Sequence, residues 1–342
     1  MQYAFVLGRV FTLSLAELIV VLSKYAPEAR IIDASFEIAV IETEKQLDIE
    51  RLQRELGGVV KILKVIDIVK KKPEESIDFA LQHYFKPSKI KKEFLKNTKG
   101  KIQFGVSIYL MNEEVKAFGE PKKIGMFIKR AMQEGGSSIR LVLPEFNSLA
   151  LASVVVTNNL LIEKGAEICI LAGHDKVYTC KTLRVQDFED YGRRDYPRPG
   201  RDDKAGMIPP KVAQSMLNLA KTSPGEVMLD PFCGVGTLVQ EGMLLGSRML
   251  GTDKSKIAII NSEKNLEWFR NRYKIPKGKY HIEVSDAQEV SRVVEMLAQT
   301  GVFKTIHAIV TEGYLGPLYT SFPSPQDVKL NFDELTQLWG DR

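Results

Sequence analysis

The stretch Asp230-Pro-Phe-Cys-Gly-Val-Gly-Thr237 decides the fold of this chain. It follows an apolar run, residues 226–229, that is predicted to be a strand, and it leads into residues 238–245, a predicted helix. A strand, a glycine-bent loop and a helix N-terminus place backbone N–H groups where a ligand can meet them. Gly234 and Gly236 let the backbone approach that ligand, because neither carries a Cβ atom. The stretch therefore predicts a cofactor loop in an α/β domain.

The same loop indicates which kind of cofactor it takes. A dinucleotide-binding fingerprint would place its third glycine at position 239, where this chain has Val239. The loop is therefore not built for a pyrophosphate. We expect a small cationic cofactor, held between Asp230, the loop amides and a second acid.

Two later acids follow predicted strands in the same way as Asp230. Asp253 ends the strand predicted over residues 247–252, and Asp286 follows the strand predicted over residues 280–284. Parallel strands that end in acids present them at one edge of the sheet, which is where open α/β folds bind ligands. We expect Asp253 to bind both ribose hydroxyls and Asp286 to accept from an adenine amino group.

This pattern resembles the Rossmann-like S-adenosylmethionine-dependent methyltransferases, and Asp-Pro-Phe-Cys-Gly-x-Gly-Thr resembles the form used by amino-group methyltransferases. The resemblance implies S-adenosylmethionine as cofactor. A second segment, Gly206-Met-Ile-Pro-Pro-Lys-Val-Ala213, resembles the one that precedes the cofactor loop in archaeal-type tRNA guanosine-10 N2-methyltransferases, where it packs beside the methionine end of the cofactor. The cofactor contacts that these resemblances imply are Met207, Asp230, Phe232, Gly234, Gly236, Thr237, Asp253, Lys254, Asp286 and Ala287.

Length and composition limit the remaining possibilities. A chain of 342 residues with 44% hydrophobic and 27% charged residues is expected to form two or three globular domains. Its three cysteines form no CxxC pair, so neither a metal site nor a disulfide framework is predicted. No signal peptide or membrane span is evident, and we expect a cytoplasmic protein without a membrane partner.

The N-terminal half is expected to contain two domains. Residues 1–66 show strand and helix patterns in the order βαββαβ, which predicts a small ferredoxin-like domain. Residues 67–186 alternate helix and strand patterns and resemble a THUMP domain, an RNA-binding module of tRNA-modifying enzymes. The resemblance implies tRNA as the partner.

Positive charge is concentrated near the start of the second predicted domain of the N-terminal half. Residues 61–101 contain twelve lysines against five acids, which favours an anionic partner, although a lysine run is also typical of a solvated face. Residues 187–205 have the polar, proline- and glycine-rich composition of a linker and add four arginines that are suited to phosphates. The predicted RNA-binding residues are Lys89, Lys91, Lys92, Lys96, Arg193 and Arg194.

The chemistry is expected after a fourth strand of the methyltransferase domain, residues 206–342. This strand is predicted over residues 306–310 and is followed by Thr311-Glu-Gly-Tyr314. Amino-methyltransferases carry Asp/Asn-Pro-Pro-Tyr/Phe at this point, so Thr311, Glu312 and Tyr314 are the catalytic candidates. The acid and both prolines are replaced, and Glu312 is expected to supply the carboxylate from one position further on.

The family pattern also includes strands beyond the fourth. Residues 318–342 leave no room for three more strands, so the domain is expected to be incomplete. The sequence therefore suggests either a truncated chain or a second polypeptide that supplies the missing strands.

Several functional classes remain open at this stage. The leading one is methylation of the N2 amine of a tRNA guanosine. The alternative is a non-catalytic RNA-binding protein with a degraded methyltransferase site. A DNA amino-methyltransferase is disfavoured because no duplex-reading element is recognisable, and a nicotinamide oxidoreductase is disfavoured by Val239.

Overall fold

A computed structural model describes residues 1–95, 102–112, 120–201, 207–301, 303–314, 316, 319 and 321–340. The chain divides into two compact units, Met1–Phe188 and Glu189–Arg342. None of the helices in the described ranges is both long and apolar enough to cross a lipid bilayer.

The N-terminal unit contains one eight-stranded sheet with the strand order β2-β3-β1-β4-β8-β7-β5-β6. Its strands are β1 (Gln2–Leu7), β2 (Arg30–Ala34), β3 (Ile38–Glu42), β4 (Val59–Lys70), β5 (Ile102–Leu110), β6 (Ile139–Val142), β7 (Gly165–Ala172) and β8 (Lys176–Val185). Its α-helices are α1 (Phe11–Tyr25), α2 (Ile49–Glu55), α3 (Ile77–Leu81), α4 (Pro87–Lys89), α5 (Pro121–Glu134) and α6 (Ser153–Asn158). A π-helical turn, Ile90–Phe94, continues α4.

The first six elements follow the expected order βαββαβ. Strands β2, β3, β1 and β4 lie side by side and are antiparallel throughout, which is the arrangement of a split βαβ unit repeated once. Strand β4 runs past residue 66 to Lys70 and pairs with β8 along its length. The sheet is therefore continuous across the boundary that the sequence suggested between the first two domains.

The second half of this sheet is mixed. Strand β5 is parallel to β6 and to β7, and β7 and β8 form an antiparallel hairpin. The pattern of apolar residues predicts a helix over residues 148–158, whereas helix α6 begins at Ser153. The segment before it is not helical, and Asn147 there has a left-handed φ of 62°.

The C-terminal unit contains a four-stranded parallel sheet with the order β11-β10-β9-β12. Its strands are β9 (Val227–Asp230), β10 (Arg248–Asp253), β11 (Tyr280–Val284) and β12 (Ala308–Ile309). Its helices are α7 (Phe188–Asp195), α8 (Pro210–Leu219), α9 (Thr237–Leu244), α10 (Lys256–Tyr273), α11 (Val290–Gln299) and α12 (Pro325–Trp339). Helix α7 begins on the last residue of the N-terminal unit and lies within the segment that the sequence suggested as a linker.

Each strand of this sheet is connected to the next by a helix, and the strand order 3-2-1-4 is that of a Rossmann-like half. The central strand β9 is buried at all four positions, as expected of a parallel strand covered on both faces. The fourth strand is shorter than the five residues predicted. Two flanking backbone bonds lengthen its pairing, from the His307 N–H to the Val227 carbonyl and from the Val310 N–H to the Leu229 carbonyl.

Candidate active site

The cofactor loop, residues 231–236, joins β9 to α9 at the carboxyl edge of the sheet. Gly234 and Gly236 have φ angles of 51° and 87°, in the left-handed region that side chains with a Cβ atom rarely adopt. Gly236 is the residue that precedes α9, so this turn leads directly into the helix N-terminus. Both glycines that the sequence suggested for the loop therefore lie at positions where the backbone has a left-handed φ angle.

Asp253, at the end of β10, is oriented by two backbone amides. Gly234 N–H donates to its Oδ2 at 3.0 Å, and Ser255 N–H donates to its Oδ1 at 2.8 Å. Each carboxylate oxygen keeps a further lone pair, so the group can still accept bonds from a ligand. The first of these bonds joins two residues that the sequence assigned to the same site.

Asp230, at the end of β9, is almost completely buried, with 1% exposure. Thr311 Oγ1 donates to its Oδ1 at 2.7 Å, and Phe232 N–H donates to the same oxygen at 3.2 Å. The pKa of Asp230 is raised to about 7: burial is the largest cause, the charges of Asp253 and Glu312 add to it, and the two hydrogen bonds partly oppose it. Asp230 is thus a buried acid whose ionised form is disfavoured by its surroundings.

Asp286 lies beyond the end of β11, next to β10 in the sheet. Its Oδ1 accepts from the Gln288 N–H at 2.9 Å and caps a short 3-10 turn that starts at Ala287. The neighbouring Ser285 N–H donates to the Asp253 carbonyl at 3.1 Å, which ties the ends of the two strands together. The parallel register therefore brings all three acids to one edge of the sheet.

The residues after β12 lie at this same edge. Thr311 is bonded to Asp230, whereas Glu312 is exposed and near enough for its charge to raise the pKa of Asp230. The Lys254 Nζ lies 5.2 Å from the centre of the Tyr314 ring, within the range of a cation–π contact. The three catalytic candidates are thus grouped with the cofactor candidates Asp230 and Lys254.

Two of the remaining cofactor candidates, Thr237 and Met207, are less exposed to solvent. Thr237 is buried, and its Oγ1 accepts from Arg198 Nη1 at 2.6 Å, so its hydroxyl is already engaged. Met207 precedes α8 and is half-buried. Their contact with a cofactor stays a prediction.

The predicted RNA-binding lysines occupy different environments. Lys91 and Lys92 are exposed on the π-helical turn after α4. Lys89 is held by Asp67, with Nζ 2.6 Å from Oδ2, and lies 3.8 Å from the centre of the Tyr84 ring. Lys96 lies outside the described residues. The exposed pair is the better placed of these for a large anionic partner.

The arginines of the suggested linker do not form one surface strip. Arg193 is exposed and pairs with Glu189 one turn earlier at 2.7 Å. Arg194, in contrast, is 4% exposed, stacks on Tyr191 and lies 3.3 Å from the buried Glu241. Helix formation separates the two neighbours, because adjacent residues on a helix point about 100° apart. Burial of Arg194 is at odds with the phosphate-binding role predicted for it.

Cys233 lies within the cofactor loop, and its thiol packs into the core of the C-terminal unit. Burial raises the pKa of this thiol, which disfavours the thiolate form that a nucleophile needs. Within the described ranges, no group of three or more His, Cys, Asp or Glu side chains is arranged to hold a metal ion.

Two residues that shape the loop escaped the sequence-based interpretation. Asn265, in the middle of α10, donates from Nδ2 to the Val235 carbonyl at 2.9 Å. Arg198, one of the four arginines of residues 187–205 that the sequence suggested for phosphates, donates from Nη1 to Thr237 Oγ1 at 2.6 Å, a contact that the composition of the segment did not indicate. Neither stands in a motif, and their roles depend on chain segments that are distant in sequence.

Part of the chain is similar to a known protein family and to named proteins. Residues 198–296 match the family described as the RMKL-like methyltransferase domain. Over 135 residues the chain is 30% identical to the tRNA (guanine(10)-N2)-dimethyltransferase of Methanocaldococcus jannaschii, a match that covers 40% of this chain and 36% of that protein. The chain therefore matches about a third of the length of this curated relative.

Solved structures agree on the fold. TrmN from Thermus thermophilus has a TM-score of 0.51 at 15% identity, over 85% of this chain and 75% of that one. SMU.472, whose crystal structure contains SAH, has a TM-score of 0.50 at 12% identity, over 98% of this chain and 85% of that one. The predicted Rossmann-like methyltransferase fold is confirmed. Together with the family match, the archaeal relative supports the predicted assignment to the tRNA guanine N2-methyltransferases.

Proposed function

We propose that this chain, whose residues 198–296 match the RMKL-like methyltransferase domain, methylates the exocyclic N2 amine of a guanosine in tRNA. The methyl donor is S-adenosylmethionine. The observation that carries the proposal is the row of Asp230, Asp253 and Asp286 at the carboxyl edge of three parallel strands. The name of the archaeal relative supports the substrate, and the SAH in SMU.472 supports the donor.

The residues of the site fit a cationic donor of this kind. Asp230 is a buried acid whose pKa is raised to about 7, so a positive group beside it would favour its ionised form. We assign Asp253 to accepting hydrogen bonds from both ribose hydroxyls, and Asp286 to accepting one from the adenine amino group. When bound, S-adenosylmethionine supplies an electrophilic methyl group, and these carboxylates fix its position.

The guanine amine needs help because its lone pair is delocalised into the ring. In our proposal Glu312 and a backbone carbonyl after β12 accept the two amine hydrogens and draw the nitrogen towards tetrahedral geometry. Tyr314 stacks on the base, which must first leave its helical stack. The amine loses one proton after transfer, and Glu312 or water accepts it. Catalysis is mainly the alignment of amine and methyl group.

Thr311 takes a different role from the acid that it replaces in the family pattern. Because its hydroxyl donates to Asp230 at 2.7 Å, we assign it to holding Asp230 rather than to binding the amine. This leaves Glu312 as the carboxylate that faces the substrate.

We propose that tRNA also binds the N-terminal unit, with residues 67–186 acting as a THUMP-type module. The exposed Lys91 and Lys92 of this unit supply charge for phosphate contacts. The exposed Arg193 supplies charge for such contacts within the C-terminal unit. Such contacts position the RNA without reading its sequence, so they are compatible with the choice of a single nucleotide being made at the methyltransferase site.

Mass spectrometry of nucleosides tests the activity. Unmodified tRNA is incubated with the chain and S-adenosylmethionine, and N2-methylguanosine is the expected product. We expect Asp253→Ala to weaken SAH binding, measured by calorimetry, by about tenfold or more, because bonds to a charged group are lost. We expect Glu312→Gln to lower the methylation rate about 10- to 100-fold while SAH affinity stays within about twofold.

Glu295→Gln is the matched control for Glu312→Gln, since Glu295 is exposed on α11 and is not one of the candidate site residues. The control should behave as the wild-type chain in both assays. A wild-type chain that binds neither SAH nor S-adenosylmethionine would contradict the proposed function.

The non-catalytic alternative keeps one observation in its favour, which is the engagement of the Thr311 hydroxyl by Asp230. A non-catalytic RNA-binding protein would retain tRNA affinity, form no methylated nucleoside, and be unaffected by Glu312→Ala. The same tRNA assay therefore separates the two functions.

Two further expectations from the sequence stay predictions. Strand β12 lies at one edge of the four-stranded sheet, and a second polypeptide that pairs with it would be detected as a stable hetero-complex. A cytoplasmic location agrees with action on tRNA and is tested by cell fractionation.

A further inference from the structure

Residues 195–201, here called the strap, run between α7 and the segment before α8, within the C-terminal unit. Arg198 is the buried anchor of the strap. Its Nη2 donates to Asp195 Oδ1 at 2.6 Å and its Nε to the Asp195 carbonyl at 3.1 Å, which folds the strap on itself. Its Nη1 donates to Thr237 Oγ1 at 2.6 Å, so the same guanidinium reaches the first residue of α9.

Asn265 makes a second connection between the strap and the cofactor loop. Its Oδ1 accepts from the Gly200 N–H at 2.7 Å, and its Nδ2 donates to the Gly200 carbonyl at 3.1 Å. The same Nδ2 donates to the Val235 carbonyl at 2.9 Å. One fully buried amide thus satisfies three backbone groups, one in the loop and two in the strap.

The strap is close-packed at this point. A Cβ atom added to Gly200 would lie 2.5 Å from the Asn261 carbonyl oxygen and 2.9 Å from its Cα, both of which are backbone atoms of α10. Only glycine therefore allows the strap to lie close enough to α10 for the Asn265 amide to reach it.

The cofactor loop needs such support. Val235 stands between Gly234 and Gly236, which are both left-handed and have the widest conformational freedom of any residue type. A loop of this composition loses more entropy than others when it is fixed in the geometry that a ligand requires. A side chain that holds the Val235 carbonyl, between the two glycines, reduces the conformational entropy that the loop still has to lose when the ligand binds.

We propose that Asn265 is a positioning residue for the cofactor loop, which it fastens to the strap through Val235 and Gly200. The inference deepens the proposed function, on which its effect on cofactor affinity rests. Asn265 reaches the cofactor through the loop, and its contribution is to hold the loop in the binding geometry before the cofactor arrives.

The test combines amide hydrogen exchange of the ligand-free chain with calorimetry of SAH binding. Asn265→Ala leaves the Val235 carbonyl and both polar groups of Gly200 without their partner. We expect exchange in a peptide spanning residues 231–237 to rise about tenfold or more, while exchange in β10 and β11 is unchanged. SAH binding should weaken by about tenfold, and residual methylation at saturating S-adenosylmethionine should stay within about threefold.

Asn271→Ala is the matched control, because Asn271 lies on the same helix and its Nδ2 donates to the exposed Glu267 at 3.2 Å. It should match the wild-type chain in exchange and affinity. Gly200→Ala should disrupt the same hydrogen bonds from the side of the strap, and it should reproduce the effects of Asn265→Ala. If Asn265→Ala does not fold, Asn265→Asp, which keeps the acceptor and loses both donors, takes its place.

The outcomes separate this inference from the proposed function. Unchanged exchange in residues 231–237 together with unchanged SAH affinity in both Asn265→Ala and Gly200→Ala would overturn it. If the wild-type chain binds no SAH, the proposed function fails, and the exchange of residues 231–237 still decides whether Asn265 positions the loop.

Discussion

At the scale of single residues, the site depends on carboxylates whose environments differ. Asp286 is exposed, Asp253 is held by two backbone amides, and Asp230 is buried beside Thr311. The pKa of Asp230 is raised to about 7, with burial as the largest cause. Its charge at neutral pH is therefore set by what lies next to it, which suits an acid that meets a cationic ligand.

This pKa predicts how Asp230 affects stability in the ligand-free chain. A group whose pKa rises on folding contributes stability that is fully present below its unfolded value, near 3.8, and lost as the pH rises through about 7. Asp230→Asn keeps the shape and removes the charge. We expect it to raise the free energy of unfolding by about 1–4 kcal/mol at pH 8, with little difference at pH 4.

Urea denaturation at the two pH values measures the effect. Asp333→Asn, at an exposed position of α12, serves as the control and should show no such pH-dependent difference. Equal stability of wild type and Asp230→Asn at pH 8 would show that Asp230 bears no unfavourable charge.

The same group predicts the pH dependence of ligand binding. Below pH 7 a growing fraction of Asp230 is protonated and no longer attracts the ammonium group of SAH. We therefore expect SAH affinity, measured by calorimetry, to fall by up to about tenfold per pH unit between pH 7 and pH 5. The Asp230→Asn variant should bind more weakly at pH 7.5 and lose this dependence. A wild-type affinity independent of pH would contradict the role of Asp230.

At the scale of elements, helix α9 illustrates how packing fixes the cofactor loop. The helix starts at the loop and lies against β10, and Gly242 faces Met249 of that strand. A Cβ atom there would lie 2.8 Å from Met249 Cε and 2.9 Å from its Cγ. Because Met249 is fully buried, its side chain has little room to move away.

We expect Gly242→Ala to lower the free energy of unfolding by about 1–3 kcal/mol through overpacking, although alanine is the better helix former. Gly192→Ala is the matched control, since a Cβ atom there meets only Tyr196 Cδ2, at 3.9 Å. The control should stabilise α7 by about 0.5–1 kcal/mol. Chemical denaturation measures the free energy of unfolding of both variants. A Gly242→Ala variant more stable than the wild-type chain would show that α9 can move away from β10.

At the scale of the whole molecule, the N-terminal unit is held together by a buried polar network. Lys61 on β4 lies 2.5 Å from Glu167 on β7, and its Nζ also donates to the Leu151 carbonyl at 2.7 Å. Ser107 and Thr182 donate to the two oxygens of Glu167, each at 2.6 Å. The network spans β4, β8, β7 and β5, and so connects the two halves of the eight-stranded sheet.

Removing one charge from this network should be costly. We expect Lys61→Met to lower the free energy of unfolding by about 3–5 kcal/mol, because Glu167 is left buried and uncompensated. Lys61→Met with Glu167→Leu should recover much of that loss. Lys92→Met, at a lysine with a 77% exposed side chain, should change stability by less than about 0.5 kcal/mol. Chemical denaturation gives the free energy of unfolding of the wild-type chain and of these three variants. If Lys61→Met and the double variant lose the same stability, the unpaired charge of Glu167 is not the cause of the loss.

The sequence by itself determined the elements and the chemistry that local pattern encodes. The cofactor loop, the acids at the strand ends and the βαββαβ order followed from the spacing of apolar residues, glycines and acids, because strand ends and turns depend on near neighbours. Tertiary structure alone decided the burial of Arg194, the bond from Thr311 to Asp230 and the reach of Asn265 to Gly200 and Val235. These contacts join positions that are distant in the chain, and a side chain's partner and exposure depend on how whole elements pack.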